Sequence, residues 1–378
     1  MKPPDLRRRG LLEELLARAR GGRPVLLAGP AGSGKTTTLR ALGAELAREG
    51  WVPVYLDLMG AASSPERFAV AALQALPAER FGKQLARATE IRRLAGSGKA
   101  RGADAVQALF GLWSSLDDAA GRPVVLLLDE ATEIRSLAYF GGLRQVDKPF
   151  AAALAARRRG TVLATSYPTL ARKLWPALDS IEAGPLTPDD LGPAARAARL
   201  SPEALAGASF GWPRYARILL HAAGAGSGLA AAWAEEMTQG GRIESACHHT
   251  YEALLLRSRG YGMSKAVLAA VAHEEGLNLT ALVARLGRTP GAVRDYLGWL
   301  LGVDALRMAK KRYAYVDGMV RWWVRLHGRG TPASEAEVRA AAQEAAGGPG
   351  PAPPEAAPPQ ADAVRAPARR ETLVDDLL

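Results

Sequence analysis

Cysteine is almost absent from this chain, since Cys247 is the only one among 378 residues. A single cysteine excludes a disulfide bond within the chain and fits a reducing compartment. Long apolar runs are also missing, because none approaches the ~18 residues that a membrane span needs. Glu13 and Glu14 interrupt the leucine-rich stretch near the N-terminus, which argues against a signal peptide. We therefore expect a cytoplasmic protein that makes no contact with a membrane.

A metal site is one conceivable use of the cysteine, because His248 and His249 follow it directly. Metal ligands must converge on one ion. Adjacent residues of a helix do not share a face, and this segment is predicted to be helical. Metal binding at Cys247, His248 and His249 is therefore disfavoured.

The most specific motif of the sequence is a P-loop. A short apolar run, Val25–Ala28, leads into Gly29-x-x-x-x-Gly34-Lys35-Thr36, and an apolar-periodic helix follows. The glycines let successive N–H groups point inward and form an anion nest at the positive end of the helix. Lys35 is expected to reach the β and γ phosphates of a nucleotide, and the Thr36 hydroxyl is expected to bind Mg²⁺. The predicted phosphate-binding residues are Gly29, Pro30, Ala31, Gly32, Ser33, Gly34, Lys35, Thr36 and Thr37.

A second glycine-rich stretch, Gly96-Ser97-Gly98-Lys99, lacks the features of a P-loop. Arg93 stands in place of the first glycine, and Ala100 stands where a serine or threonine is needed. No apolar strand precedes it, so we interpret this stretch as a flexible loop.

An acidic pair, Asp129-Glu130, follows the apolar run Val124–Leu128. A continuous apolar run is typical of a strand buried on both faces of a parallel sheet, and its C-terminal end lies beside the P-loop crevice. There Asp129 is expected to hold Mg²⁺ through water and Glu130 to polarise the attacking water. The alternative is that Asp129 and Glu130 are only the acidic residues of a helix N-terminus. That interpretation is disfavoured, because a P-loop works together with carboxylates at this position. The adjacent glutamate favours hydrolysis over phosphoryl transfer to a small acceptor.

Two further polar positions are candidates for contact with the γ phosphate. The apolar strand at residues 161–166 ends in Thr165 and Ser166, and by strand alternation only one of them faces the phosphate. We favour Ser166, with a simple strand-end cap as the alternative. Arg214 follows a proline at a helix start and is expected to swing toward a bound phosphate. A surface arginine is the alternative for Arg214.

The pattern of elements predicts the fold class. Strands alternate with helices through residue 184, which predicts a doubly wound α/β domain. Residues 187–240 have helical patterns. Residues 263–301 contain three short helices with a turn at Gly287, and residues 305–316 alternate like two strands. This order predicts a winged helix.

The end of the chain changes in composition. Ser334 and Glu337 form the pattern of a capping box for a short helix that reaches Ala346. Residues 347–367 are rich in Pro, Gly and Ala and are predicted to be a disordered linker. Residues 371–378 alternate acidic and apolar side chains, which fits either a tethered peptide that docks on a protein partner or a solvated tail.

These motifs together resemble an AAA+ ATPase. The P-loop, the acidic pair, the Thr165-Ser166 strand end and the Gly211-Trp212-Pro213-Arg214 corner occur in this order within residues 5–328. The resemblance is closest to archaeal-type and STAND-like ATPases with an appended winged helix. It implies ATP as the nucleotide, Ser166 at sensor 1, Arg214 at sensor 2, and Glu130, Lys35, Ser166 and Arg214 as the catalytic group. No arginine is marked as the finger that completes a neighbour's site; Arg172 is the nearest candidate, and an oligomer stays open.

The resemblance also implies a domain organisation. We expect an α/β P-loop NTPase domain with a helical lid, a C-terminal winged-helix domain and a disordered Pro-rich tail. The expected ranges are 1–184 for the nucleotide-binding domain, 185–241 for the lid, 242–330 for the winged helix, 331–346 for the short helix and 347–378 for the tail.

The positive charge of the chain suggests a partner for the winged helix. Residues 242–329 contain 14 Lys and Arg but only 7 Asp and Glu, which favours contact with a phosphate-rich partner. A composition imposed by a GC-rich genome is an alternative explanation of this charge, and winged helices also serve as protein-interaction modules. The side chains expected to contact duplex DNA are Arg285, Arg288, Arg294, Lys310, Lys311 and Arg312.

The sequence as a whole predicts an ATP-dependent molecular switch. ATP hydrolysis, slow or stimulated by a partner, would be coupled to the binding of DNA or protein through the winged helix. The alternative is a nucleotide-gated regulator or scaffold that does not hydrolyse ATP. A P-loop kinase for small molecules is disfavoured, because it leaves the winged helix and Glu130 unexplained.

Overall fold

The computed structural model of the protein describes residues 6, 8–76, 84–97, 101–119, 121–224, 228–329, 331 and 333–347. Residues 98–100 of the second glycine-rich stretch lie outside these ranges, so the flexible loop stays a prediction. The same holds for the linker and the docking peptide predicted after residue 347. Within the described ranges, no helix combines the length and the apolar character needed to cross a membrane.

A sheet forms the centre of the N-terminal part. Its strands are β1 (Val25–Ala28), β2 (Val52–Asp57), β3 (Asp118–Ala119), β4 (Arg122–Asp129), β5 (Thr161–Thr165) and β6 (Asp179–Glu182). Five of them run parallel in the order β2-β4-β5-β1-β6, and β3 pairs antiparallel with β4. The doubly wound parallel sheet predicted from the sequence is confirmed.

Helices cover both faces of this sheet, because the side chains of a strand alternate between its faces. Along β4, Leu126 and Leu128 pack into one apolar cluster, while Val125 and Leu127 pack into the other. Burial on both sides explains why this strand is a continuous apolar run. The helices of this part are α1 (Arg9–Arg20), α2 (Lys35–Arg48), α3 (Leu58–Ala61), α4 (Pro65–Gln74), α5 (Leu85–Gly96), α6 (Gly102–Ser114), a 3-10 helix (Ala131–Tyr139), α7 (Asp147–Ala155) and α8 (Pro168–Leu174).

The remaining described chain is helical apart from one antiparallel hairpin. Buried apolar side chains from Leu186 to Ala345, together with Leu6, form one continuous cluster. The boundaries predicted between lid, winged helix and short helix stay predictions. The elements are α9 (Pro188–Ala197), α10 (Pro202–Ser209), α11 (Pro213–Ala222), α12 (Leu229–Met237), α13 (Arg242–Arg257), α14 (Tyr261–His273), α15 (Leu279–Leu286), α16 (Pro290–Gly302), β7 (Leu306–Ala309), β8 (Arg312–Tyr315), α17 (Gly318–His327) and α18 (Glu335–Gly347).

Helices α14, α15 and α16 and the hairpin follow the order predicted for residues 263–316. Gly287 ends α15 in the left-handed region with φ of 59°, and the Thr289 side chain caps α16. Lys310 and Lys311 form the hairpin turn with φ of 50° and 62°. Positive φ at both central residues is the geometry that matches the twist of a two-residue hairpin.

The last described helix, α18, packs onto α10 and α12. Its start is the predicted capping box: Ser334 N donates to Glu337 Oε2 at 2.8 Å, and Glu337 N donates to Ser334 Oγ at 3.3 Å. The capping box is therefore confirmed. The packing was not predicted, because the buried stripe of this helix is short and mostly alanine. It consists of Val338, Ala341, Ala342 and Ala345.

Removing residues 333–378 is expected to lower the melting temperature by several degrees. The truncation takes α18 away from the apolar cluster and exposes the faces of α10 and α12 that it covers. A control that removes only residues 348–378 keeps α18 and is expected to melt like the full chain. Differential scanning calorimetry of the three proteins measures both effects. Equal melting temperatures for the two truncations would contradict the packing role of α18.

Candidate nucleotide-binding site

The P-loop connects the inner strand β1 to helix α2. Gly32 and Gly34 have φ of 84° and 91°, a region that L-residues with side chains rarely adopt. A Cβ atom on Gly32 would lie 2.9 Å from Nε of Arg214. Glycine at this position therefore lets the loop turn and lets α11 approach it closely.

The loop ends at the N-terminus of α2, where the first N–H groups have no partner within the helix. These groups and the helix dipole favour an anion at this place. They border a cleft of about 590 Å³, a volume ordinary for a small-molecule site. The loop side of the cleft is lined by Pro30, Ala31, Gly32, Gly34, Lys35, Thr36 and Thr37.

Lys35 is buried at the bottom of this cleft, with 4% of its surface exposed. Its Nζ donates to the carbonyls of Gly29 at 2.8 Å and Pro30 at 3.0 Å, and to Ser166 Oγ at 3.0 Å. Burial lowers the pKa of Lys35, and the carboxylates of Glu130 and Asp129 oppose this shift. The ammonium group is thus held between the loop and the acidic pair.

Glu130 stands directly after β4 in the left-handed region, with φ of 47°. Such a conformation is strained for a residue with a side chain. Its Oε1 accepts from Ser166 Oγ at 2.5 Å and its Oε2 accepts from Ser166 N at 2.9 Å. Burial raises the pKa of Glu130, while the charge of Lys35 opposes the rise.

Asp129 lies behind Glu130, with 2% of its surface exposed. Tyr55 OH donates to its Oδ2 at 2.9 Å, and Glu130 N donates to its Oδ1 at 3.1 Å. Each oxygen keeps a lone pair beyond these bonds. Thr36, whose hydroxyl forms no hydrogen bond to the described residues, lines the cleft. A carboxylate and a hydroxyl are oxygen donors of the kind that Mg²⁺ prefers, so the residues fit this ion.

Ser166 and Thr165 face different surroundings. Ser166 lines the cleft between Lys35 and Glu130. Thr165 is fully buried, and its hydroxyl lies 2.9 Å from that of Thr132. The structure therefore brings Ser166, and not Thr165, to the cleft, so only one of the two residues faces it.

Arg214 reaches the cleft from the start of α11. Its N–H donates to Gly32 O at 3.3 Å, and its Nη1 donates to Thr250 Oγ1 at 3.2 Å. The side chain is half-buried beside the P-loop, so it is not a free surface arginine.

Two arginines near the loop were missed from the sequence. Arg217, one turn after Arg214, lines the cleft and has no partner among the described residues. The sequence signal for Arg217 was its position three residues after Arg214, which places both on the same side of a helix. Arg8 lines a smaller cavity beside Ser33 and Thr37, and burial lowers the pKa of Arg8 to about 10. Nothing in the run of three arginines that contains it marked Arg8 as half-buried.

Cys247, His248 and Arg172 do not line the cleft. The Cys247 thiol is buried 3.6 Å from Tyr215 OH, whereas the His248 ring stacks on Trp323. Arg172, the candidate finger, forms an ion pair with Glu182 of the same chain.

The opposite wall of the cleft belongs to the C-terminal part, which we define as residues 242–329. It comes from α13, from the turn between α16 and β7, and from the end of β8 with the start of α17. The lining residues include His249, Thr250, Leu254, Val303, Asp304, Tyr315, Val316 and Val320.

Comparison with known proteins identifies the N-terminal part. Residues 7–139 match the family model described as AAA ATPase domain, so this part of the chain carries an AAA ATPase domain with its nucleotide-binding P-loop. The resemblance to AAA+ ATPases is thereby confirmed. A search of curated proteins finds no match.

A solved structure shares the fold of this chain. The chain is similar to the Walker-type ATPase PABY2304 of Pyrococcus abyssi, with a TM-score of 0.64 and 14% identity over 85% of this chain and 96% of that chain. A weaker likeness, with a TM-score of 0.36 and 17% identity, is found to Cdc6p from Pyrobaculum aerophilum over 89% of this chain and 92% of that chain.

Proposed function

We propose that the protein is an AAA+ molecular switch that hydrolyses ATP and couples its nucleotide state to the binding of duplex DNA by the C-terminal part. One observation carries this proposal. Lys35, Glu130, Ser166 and Arg214 converge on one cleft whose other wall is the C-terminal part. A nucleotide bound in this cleft would therefore contact the part of the chain that is proposed to bind the partner.

Each residue has a defined task in hydrolysis. The N–H groups of the P-loop and Lys35 bind the β and γ phosphates. Glu130 accepts a proton from water as the water oxygen bonds to the γ phosphorus and the bond to the β-phosphate oxygen breaks. Ser166 orients the Glu130 carboxylate, and Arg214 stabilises negative charge on the γ phosphate. ADP and inorganic phosphate leave.

Magnesium binding is part of this proposal. Thr36 and Asp129 would hold Mg²⁺, which neutralises negative charge on the phosphates when bound. Tyr55 fixes the orientation of the Asp129 carboxylate through the 2.9 Å hydrogen bond.

Multiple-turnover release of phosphate tests the hydrolysis. We expect the wild-type protein with ATP and Mg²⁺ to release many phosphates per molecule, and duplex DNA to raise the rate. Release of no more than one phosphate per protein, with ATP still bound, would favour the nucleotide-gated regulator.

The DNA-binding surface is proposed from exposed basic side chains. Arg288 and Arg294 on or beside α16 and the turn residues Lys310 and Lys311 are exposed and have no partner among the described residues. Burial raises the pKa of Tyr313 on the hairpin strand β8, and the charge of Arg294 opposes this rise. Helix and hairpin thus present positive charge together, as a surface for phosphates requires.

Two members of the predicted basic set are already engaged within the chain. Arg285 Nη2 donates to Glu274 Oε2 at 2.5 Å, and Arg312 Nη1 donates to Gly276 O at 2.7 Å. Arg307 on β7 is exposed and was not predicted. The surface is therefore centred on the hairpin turn and on Arg294.

Replacing Lys310, Lys311 and Arg312 with glutamine is expected to weaken binding to all duplexes alike. The plot of log affinity against log salt should become less steep by about 2 to 3 units, near one per lost phosphate contact. Fluorescence anisotropy with labelled duplexes of several sequences measures this slope.

A matched control removes three charges from the α/β part by replacing Arg135, Arg144 and Lys148, which are all exposed. Its slope should stay like that of the wild type. An unchanged slope in the hairpin variant, or no DNA binding by the wild type at ~50 mM salt, would contradict the proposed DNA-binding surface. Either result would favour a surface that binds protein.

A further inference from the structure

We propose that the C-terminal part supplies two positioning residues, Arg257 and Asp304, to the catalytic pair, by which we mean Glu130 and Ser166. Arg257 holds the segment that follows Glu130, and Asp304 holds the segment that follows Ser166. This inference rests on the proposed ATP hydrolysis.

Arg257, the last residue of α13, contacts both segments. Its Nη2 donates to Glu133 Oε1 at 2.7 Å, and its guanidinium carbon lies 4.4 Å from the ring centre of Tyr167. Glu133 is 9% exposed and stands in the first turn of the 3-10 helix. Its N–H donates to Glu130 O at 2.9 Å. A charged hydrogen bond between the exposed Arg257 and the buried Glu133 therefore acts on the turn that sets the Glu130 backbone.

Asp304 caps α8, the helix that begins directly after Tyr167. Its carboxylate accepts from Thr169 N at 3.1 Å and from Thr169 Oγ1 at 2.6 Å. Burial raises the pKa of Asp304 to about 6, and the hydrogen bonds from Thr169 oppose this rise because they favour the charged carboxylate. A carboxylate also interacts favourably with the positive end of a helix. The start of α8 is therefore fixed by the turn between α16 and β7.

Both contacts act where the catalytic pair needs support. The left-handed conformation of Glu130 is strained, so it persists only if contacts with surrounding residues hold it in place. One support is Ser166, which binds both carboxylate oxygens, and the other is the 3-10 helix. Asp304 fixes the chain just after Ser166, and Arg257 fixes the 3-10 helix. Loss of either contact frees one member of the pair to move relative to the other.

The same contacts give a physical route from partner to nucleotide. The turn that contains Asp304 joins α16, which borders the proposed DNA-binding surface, to the hairpin strand β7. A partner that shifts α16 and the hairpin would also shift Asp304 and so change its hydrogen bonds to the start of α8. By linkage, a nucleotide that shifts the catalytic segments then changes affinity for the partner.

Two single variants test the positioning role. Arg257→Gln removes the ion pair, and Asp304→Asn keeps a residue that tolerates the φ of 57° while weakening the cap. We expect each to lower kcat by about tenfold, because small displacements of catalytic groups are costly. ATP affinity in calorimetry should stay unchanged for Arg257→Gln, because Arg257 does not line the cleft.

One matched control follows α13 and the other lies on α16. Arg259→Gln and Asp295→Asn remove exposed charges close to α13 and on α16 that have no partner among the described residues. Both should keep the wild-type kcat. Arg257→Lys should recover part of the lost rate, because it restores the charge without the planar fork. Glu133→Gln combined with Arg257→Gln should be no slower than Arg257→Gln alone, since both changes break the same contact.

Hydrogen exchange of the nucleotide-free protein gives a readout that does not depend on turnover. Exchange should rise in residues 131–139 for Arg257→Gln and in residues 168–174 for Asp304→Asn, and stay constant in α2. If the wild type hydrolyses no ATP, the proposed function fails, and hydrogen exchange alone decides the inference. Unchanged exchange in both segments, or kcat values equal to the wild type in both variants, would overturn it.

Discussion

Lys35→Ala is expected to abolish ATP binding. The side chain is buried below the P-loop, where its Nζ donates to the carbonyls of Gly29 and Pro30. A hydrogen bond to a charged group contributes about 1.5 to 3 kcal/mol, and two phosphates lose such a contact, so affinity should fall at least ~100-fold. Isothermal calorimetry with ATP and Mg²⁺ measures the effect.

The sequence offers a control for this variant. Lys99 ends the glycine-rich stretch that resembles the P-loop but lacks its strand and its hydroxyl residue. Lys99→Ala should bind ATP like the wild type. Circular dichroism of both variants should show the wild-type helix content. Unchanged affinity in folded Lys35→Ala would refute the site.

Glu130→Gln is expected to bind ATP and to stop turnover. The amide keeps the shape of the side chain and can still bond Ser166, but it cannot accept a proton from water. Loss of a general base typically costs about 10² to 10⁴ in rate. Phosphate release under multiple-turnover conditions, together with calorimetric affinity, separates the two effects.

Glu130→Gln should not destabilise the protein enough to lower phosphate release by unfolding. Burial raises the pKa of Glu130, which means that the fold disfavours its charged form relative to the unfolded chain. A neutral amide removes that cost, so we expect no large fall in melting temperature. Glu90→Gln, a change at an exposed glutamate of α5, is the control for both measurements. Phosphate release at the wild-type rate by Glu130→Gln would exclude Glu130 as the catalytic carboxylate.

The sequence alone determined those features that depend on neighbours in the chain. The P-loop follows from glycines at fixed spacing between an apolar strand and a helix, and all its parts lie within residues 25–42. The capping box at Ser334 follows in the same way, because its bonded atoms lie three residues apart. The apolar run of β4 predicted its burial on both faces of the sheet.

Only the tertiary structure decided which distant residues meet at the cleft. Thr165 and Ser166 were separable by alternation, but the bonds of Ser166 to Lys35 and Glu130 span 131 and 36 positions in the chain. Such contacts leave no periodic signal, because each depends on how strands and helices are placed and not on local spacing.

The same reason applies to the C-terminal wall. Arg257 and Glu133 are 124 positions apart, and Asp304 and Thr169 are 135 apart. Each of these side chains, taken alone, looks like an ordinary surface charge or helix cap in the sequence. Their pairing arises only when α13 and the turn after α16 come to lie beside the segments that follow β4 and β5, so that groups distant in the sequence meet.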